Sequence, residues 1–320
     1  MFNMAIVGLG AWGRKIVGSV QGRSDAVRFA TAVTRTPSKA EPFARAQGLE
    51  LGDNIRAILD DASIHGVVIA SPGREHVAQA MAAIEAGKHV QVVKPLALTR
   101  ADAEALYAAA ERKGVFLAVA YERCFLPAAD AFRRRVKSGA LGRIVHVEGA
   151  YCAERYQTMS RTDWKTDIAV APPGAFADHI LYMMIELLGP VEELRADGRH
   201  LATDLSAADT STVHLTFPGG ISGLLTGIAV TPPFARVHFF GTDGWLEWRD
   251  ASRLEYRPLR GEAEAIDFPA FDTLKEQVES FSAAAQGKAA YRISRDNAIA
   301  GVAAIEAMGI SAASGKPVKL

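Results

Sequence analysis

The stretch Met4-Ala5-Ile6-Val7-Gly8-Leu9-Gly10-Ala11-Trp12-Gly13 carries the first structural signal. An apolar run with the look of a buried strand meets glycines at the spacing Gly-x-Gly-x-x-Gly, and a helical pattern follows over Trp12 to Gln21. Gly8 permits a tight turn. Gly10 lets the backbone approach a pyrophosphate over the helix N-terminus, and Gly13 lets the helix pack close to the strand. Ala11 and Trp12 complete that turn and are expected at the cofactor with the three glycines. On this reading the chain opens with the phosphate-binding turn of a nicotinamide dinucleotide site.

Working outward, short β-branched runs alternate with amphipathic segments. Strands are predicted over Val27 to Val33, Val67 to Ala70, His89 to Val93 and Phe116 to Ala120. Helices are predicted over Ser38 to Gln47, Ile55 to Leu59, Glu75 to Ala86 and Arg100 to Lys113. Such alternation implies a doubly wound parallel sheet, and continuous apolar strands fit a sheet covered on both faces. After about Arg123 the pattern changes. A helix over Pro127 to Lys137 leads to runs with period two at Ile144 to Tyr151, Ser211 to Phe217, Ile221 to Val230, Arg236 to Gly241 and Trp245 to Arg249, joined by turns such as Thr242-Asp243-Gly244. Helical segments follow at Phe271 to Ala285 and Asp296 to Ala313. The fold expected is α/β: an N-terminal Rossmann domain over 1–122, then an α/β domain with a mainly antiparallel open sheet over 123–320, whose C-terminal helix packs back on the first domain.

The end of the second strand chooses between the two nicotinamide coenzymes. An acidic residue there would bond the ribose 2′-hydroxyl of NAD. The chain reads Thr34-Arg35-Thr36-Pro37-Ser38-Lys39 instead. Arg35 can pair with a 2′-phosphate and stack on adenine, and Thr34 or Thr36 can donate to it. NADP is therefore expected as the preferred coenzyme, with NAD possible. Ser71 and Pro72, just past a strand at the carboxyl edge of the sheet, are expected to border the cofactor. His76 opens the next helix and is a candidate at the cofactor or in catalysis, and it reads at least as well as a capping or packing histidine. Lys94, at the end of another apolar strand and followed by Pro95, is a cation suited to orient a substrate hydroxyl and share its proton; it reads equally as a lysine marking a strand end.

These segments together resemble the glucose–fructose oxidoreductase and inositol dehydrogenase family (Gfo/Idh/MocA). The resemblance rests on Gly8 to Gly13, Ser71-Pro72 with His76, Lys94-Pro95-Leu96-Ala97-Leu98-Thr99, Ala120-Tyr121-Glu122-Arg123-Cys124-Phe125, Leu141-Gly142-Arg143-Ile144, and Trp164 ahead of Gly174-Ala175-Phe176-Ala177-Asp178-His179. It implies hydride transfer between a nicotinamide and a carbinol or carbonyl carbon of a sugar, inositol or cyclic diol. It also implies oligomerisation through the open sheet, as a homodimer or homotetramer. In the family's pattern a Glu-Lys-Pro lysine and a histidine of the second domain flank the reacting oxygen. Lys94 matches the lysine, and His179 best matches the histidine, ten residues before Gly189.

Two departures stand out. The motif's glutamate is Val93. The aspartates usual four residues before and three after the histidine fall on Ala175 and Tyr182 without a gap, whereas a gapped match makes Asp178 the first of them. Another gap would put Tyr182 at the catalytic position; His179 is favoured because a neutral imidazole exchanges protons near neutral pH with the smallest pKa shift. Tyr151, Tyr156, Trp164 and Arg123 are candidate walls of a substrate pocket. Arg123 is also a cofactor candidate, and with Lys165 it would favour an anionic substrate. Two rivals share the sequence: a regulatory protein that binds the coenzyme without turnover, and a lyase or hydrolase that uses the nicotinamide transiently.

Composition bounds the rest. Lys plus Arg and Asp plus Glu both number 36, so no general attraction to nucleic acid or an anionic membrane surface is expected. Two cysteines, Cys124 and Cys152, supply neither a metal-ligand set nor a disulfide framework, which fits a reducing compartment. No signal peptide and no uncharged apolar run of membrane-spanning length is read, so a cytoplasmic small-molecule enzyme is expected.

Overall fold

The computed structural model describes residues 1–320 and divides into two compact units, Met1–Glu122 with Asp272–Arg295, and Arg123–Phe271 with Asp296–Leu320. In chain order the first unit contributes β1 (Phe2–Val7), α1 (Ala11–Val20), β2 (Val27–Val33), α2 (Pro37–Ala46), β3 (Glu50–Gly52), α3 (Arg56–Asp60), β4 (Gly66–Ile69), α4 (His76–Glu85), β5 (His89–Val93), α5 (Arg100–Lys113) and β6 (Leu117–Ala120). The second contributes α6 (Pro127–Lys137), β7 (Ile144–Cys152), α7 (Asp178–Leu188), β8 (Glu193–Arg199), β9 (Thr210–Phe217), β10 (Ile221–Ile228), β11 (Phe234–Gly241), β12 (Gly244–Arg249), β13 (Arg253–Pro258) and β14 (Glu264–Asp267). The chain then returns to the first unit with α8 (Thr273–Ala285) and ends in the second with α9 (Arg295–Ser314) and β15 (Val318–Lys319).

In the first unit the strand order is β3-β2-β1-β4-β5-β6, all parallel. This order reverses direction between β1 and β4, and ligands of such sheets bind at the carboxyl ends beside that switch. β4 is buried at every residue, as a strand covered on both faces must be. Thr99 caps α5 by accepting from the Asp102 backbone N–H, and Gly114 closes the helix in the left-handed conformation. Segment 272–295 belongs here and not to the second unit. Val278 and Phe281 of α8 join the apolar core of β1, β2 and α1, and the Ser24 hydroxyl bonds Glu279 Oε1 at 2.6 Å. The helix that returns is thus α8, not the C-terminal α9.

The second unit holds a nine-stranded sheet, β14-β13-β12-β11-β7-β10-β9-β8-β15. Every pairing is antiparallel except β10 with β7. Strand alternation sends Val147, Leu215, Leu225, Val237, Phe239, Leu246 and Trp248 to one face, into a core shared with α6, α7 and α9. The register aligns Glu148, His238 and Glu247 on the other face. By length and hydropathy α9 could cross a membrane. Its Met308 and Ala304 are fully buried in the core and its Ser311 hydroxyl accepts from the Ala196 N–H, so the apolar composition serves packing here.

Candidate functional site

The nucleotide end of the first unit is made by backbone. Gly8 has φ +97°, and a Cβ there would lie 2.6 Å from the Ala70 carbonyl and the Ser71 nitrogen. A Cβ on Gly13 would lie 2.1 Å from the Gly8 carbonyl oxygen. Both glycines are thus required by close approach. Gly10 is different: it is exposed, a Cβ there meets nothing within 4 Å, and no side chain caps the α1 N-terminus. Free N–H groups beside open space suit a pyrophosphate, so the turn fits a dinucleotide. Ala11 is exposed and Trp12 is 39% exposed at the same turn, with Lys15 over the indole. Arg14 braces the turn from below: its guanidinium donates to the carbonyls of Leu9 (3.2 Å) and Lys39 (2.7 Å).

At the end of β2 the Thr34 N–H is held by the Gly52 carbonyl, while Arg35 and Thr36 are exposed. The predicted helix there starts at Pro37, whose fixed φ suits a first turn. Ser71 is buried and donates to Gln79 Oε1 (2.6 Å), and Pro72 follows in extended conformation. His76 is 1% exposed, with Nε2 2.8 Å from the Ser71 carbonyl and Nδ1 2.7 Å from the Pro95 carbonyl. Burial lowers its pKa, and the two carbonyls oppose that shift. Its ring therefore sits between the loop after β4 and the loop after β5 and donates its one N–H to one of their carbonyls, which makes His76 a brace for the segment that carries Lys94. Lys94 is half-buried past the end of β5 and joins Pro95 by a cis peptide bond. Val93, in the place of the family's glutamate, is buried in the apolar core.

The second unit gathers a different kind of site. Asp178 and His179 begin α7, and Asp178, Tyr182 and Glu186 follow at intervals of four on one helix face. His179 is 5% exposed; Asp178 and Tyr182 are buried too. Gly149 in β7 lets α7 come close, since a Cβ there would lie 2.4 Å from Ile180 Cγ2. The Tyr151 ring, at the end of β7, stands 6.3 Å from the His179 ring and 5.2 Å from Phe176. Tyr156 packs 6.0 Å from Phe176. The Arg123 guanidinium lies 5.1 Å over Tyr151, and that of Arg155 5.3 Å over Phe176. Burial, with Asp163 adding and Arg155 opposing, pushes the Tyr156 phenol up to about 12, so it stays neutral at physiological pH.

One buried arginine holds this group together. Arg133 of α6 donates from Nε to Glu186 (2.6 Å) and from one terminal nitrogen to the Cys124 carbonyl (2.8 Å) and Asp130 (2.9 Å). It thereby joins the turn that presents Arg123 to the helix that presents His179. Trp164, 39% exposed, lies on a loop fastened from two sides. Arg161 pairs with Asp204, and the Ser206 hydroxyl donates to the Thr166 carbonyl. Asp209, which accepts from the N–H groups of Leu201, Ala202 and Thr203, fixes the partner loop. Burial alone would raise the Asp209 pKa, but those donors and the Thr210 hydroxyl hold it below the usual carboxylate range.

The sequence pattern did not single out Arg133, Glu186, Arg155 or Asp209. Arg133 was detectable, as a charge beside Phe132 on the apolar stripe of α6 that also carries Ala128 and Ala129. Arg155 carries no such signal because its partner ring, Phe176, is distant in sequence, and Asp209 carries none because its partners are backbone N–H groups that any residues would supply.

Comparison with known proteins agrees with both units. Residues 2–121 match the oxidoreductase family with an NAD-binding Rossmann fold, and residues 130–247 match the GFO/IDH/MocA C-terminal domain. A levoglucosan dehydrogenase of Pseudarthrobacter phenanthrenivorans is 34% identical over 165 residues, 50% of this chain and 42% of that protein, so the match spans less than half of the relative. The NADP-dependent scyllo-inositol 2-dehydrogenase IolW of Bacillus subtilis is 26% identical over 281 residues, 84% of this chain and 76% of that protein. Among solved structures, levoglucosan dehydrogenase in complex with NADH and L-sorbose superposes with a TM-score of 0.87 at 21% identity, over 99% of this chain and 98% of that one, a likeness of fold. By its two matched domains, the chain belongs to the Gfo/Idh/MocA oxidoreductase family.

Proposed function

We propose that the protein is an NAD(P)-dependent dehydrogenase or reductase acting on a carbinol or carbonyl carbon of a sugar, inositol or cyclic diol. The observation that carries this reading is the glycine turn, closed by backbone at Gly8 and Gly13 and open at Gly10. Gly8 to Gly13 would hold the pyrophosphate, with Ser71, Pro72 and Pro95 bordering the remainder. When bound, the nicotinamide supplies or accepts the hydride. Lys94 donates to the substrate oxygen and stabilises its alkoxide character. His179 takes the hydroxyl proton in oxidation and returns it in reduction. The relatives' names, a levoglucosan and an inositol dehydrogenase, support this class of substrate.

The coenzyme reading is NADP ahead of NAD. Arg35 and the hydroxyls of Thr34 and Thr36 supply donors at the end of β2, and that segment holds no carboxylate. We further propose a homodimer or homotetramer through the open sheet face, in a reducing cytoplasm where Cys124 and Cys152 stay free and buried. Support for the oligomer comes from His238 stacked on Phe240 and edge-on to Trp245 on that face, beside the paired Glu148, Arg236 and Glu247. The test is fluorescence titration with NADPH and NADH, followed by turnover at 340 nm on a polyol and keto-sugar panel. Tight coenzyme binding with no turnover on any member would favour a regulatory protein and sink the enzyme reading. Sedimentation of the purified chain tests the oligomer.

A further inference from the structure

We infer that the substrate bears a carboxylate, held by Arg123 and Arg155 on the aromatic cluster beside His179. The inference rests on the dehydrogenase reading above and names the substrate class within it. The ion pairs of the second unit take up Arg133, Arg135, Arg161, Arg199, Arg236, Arg249 and Arg253 with acidic side chains. Arg123 and Arg155 stand outside that set, each over an aromatic face.

Tyr151 links the two: Arg123 covers it, Phe176 under Arg155 touches its edge, and the His179 ring is its third neighbour. Among the acids of this unit, Asp130 pairs with Arg133 and Asp204 with Arg161, so neither of those charges is offered to Arg123 or Arg155. Tyr156, held as a neutral phenol, adds no negative charge. Lys165 lies over the Trp164 ring, and its backbone carbonyl is 3.5 Å from the Tyr156 hydroxyl.

A guanidinium offers donors only, in a planar fork that matches a carboxylate with two parallel bonds. A neutral polyol needs acceptors as well as donors, so two arginines beside the proton-exchanging histidine favour an anionic hydroxy or keto acid. Stacking on the rings keeps both forks oriented before the ligand arrives.

The experiment compares molecules that differ only in charge: D-glucuronate with D-glucuronamide, and 3-hydroxycyclohexanecarboxylate with its carboxamide. The coenzyme-loaded full chain is assayed for kcat/KM, and for Kd by calorimetry. At least one acid is expected to exceed its amide by about tenfold or more, the worth of one charge-assisted bond pair. Arg123→Gln and Arg155→Gln should each lower the acid-to-amide ratio by about tenfold, with Arg155→Lys between. Ratios near one for both pairs, ratios unchanged in both glutamine variants with an unaltered melting temperature, or a preference for glucose 6-phosphate over the acids would overturn the inference. If nothing turns over while coenzyme binds, the dehydrogenase reading fails, and the calorimetric ratio alone decides whether the arginines hold a carboxylate.

Discussion

At Gly8 and Gly13 one added methyl would strike backbone atoms, whereas around Tyr151 and His179 the contacts are between side chains. On the proposed reading, the first unit recognises something common to its whole class of ligand, a pyrophosphate, and does so with groups every residue carries. On the same reading the second would discriminate one small molecule from another, which only side chains can do. Substitutions should therefore behave differently in the two regions: abrupt and chemistry-blind at the glycine turn, graded and ligand-dependent at the aromatic cluster.

The largest effect expected is Lys94→Ala. It should lower kcat by about 10²–10⁴-fold while leaving coenzyme Kd within about threefold, because it removes a donor to the reacting oxygen. Steady-state kinetics beside NADPH titration measures this, and unchanged turnover would remove Lys94 from the mechanism. Next comes Arg133→Leu, which leaves Glu186 buried without its cation. It should cost about 3–5 kcal/mol by denaturant melts. A loss below 1 kcal/mol would mean that the joint between α6 and α7 is not what holds the second unit's constellation.

Gly13→Ala should cost about 2–4 kcal/mol and weaken NADPH binding, since the helix must move off the Gly8 carbonyl. The same substitution at Gly10, where a Cβ meets open space, should spare stability and affect only coenzyme binding. Equal destabilisation at both positions would break the contrast. Arg35→Gln should raise the KM for NADPH by about 10–100-fold and leave that for NADH nearly unchanged. A chain that already prefers NADH would refute the proposed coenzyme choice.

The smallest effect concerns the open sheet face. Burial, helped by the Arg236 and Arg249 charges and opposed by Glu148, lowers the His238 pKa to about 4. The folded state therefore resists a proton that the unfolded chain takes up near the ordinary value of about 6.5. Stability should fall as pH drops from about 6.5 toward 4, by about 1–3 kcal/mol, and His238→Phe should flatten that slope. Melting curves across that window measure it; a slope unchanged in the variant would assign the acid sensitivity elsewhere, for example to His76, whose pKa is lowered too.

Much of the first unit is legible in the sequence. Helices and strands there are continuous in sequence, and their periodicity and turn chemistry are local properties. The strand His89–Val93 and the helix Arg100–Lys113 lie where the apolar pattern puts them. The three-residue β3 is too short to carry a pattern, and the sheet-edge strands β14 and β15 take their form from their neighbours. Segment 272–295 read as part of the second unit, because nothing local to a helix names the surface that Val278 and Phe281 will cover. The reading of His76 as a packing histidine was open in sequence; the two carbonyls that meet its ring are set by the ends of two strands.

By itself the sequence determined the glycine turn, the parallel sense of the first sheet, the absence of a carboxylate after β2 and the family. Each of these rests on spacing along the chain, which folding does not alter. The tertiary structure alone decided that Arg133 joins the Arg123 turn to the His179 helix, and that Arg123 and Arg155 lie over the rings of Tyr151 and Phe176. Apart from the bond of Arg133 to the Cys124 carbonyl, those contacts join residues more than twenty positions apart. Charge and ring meet only once β7 and α7 have packed, so no local pattern could announce them.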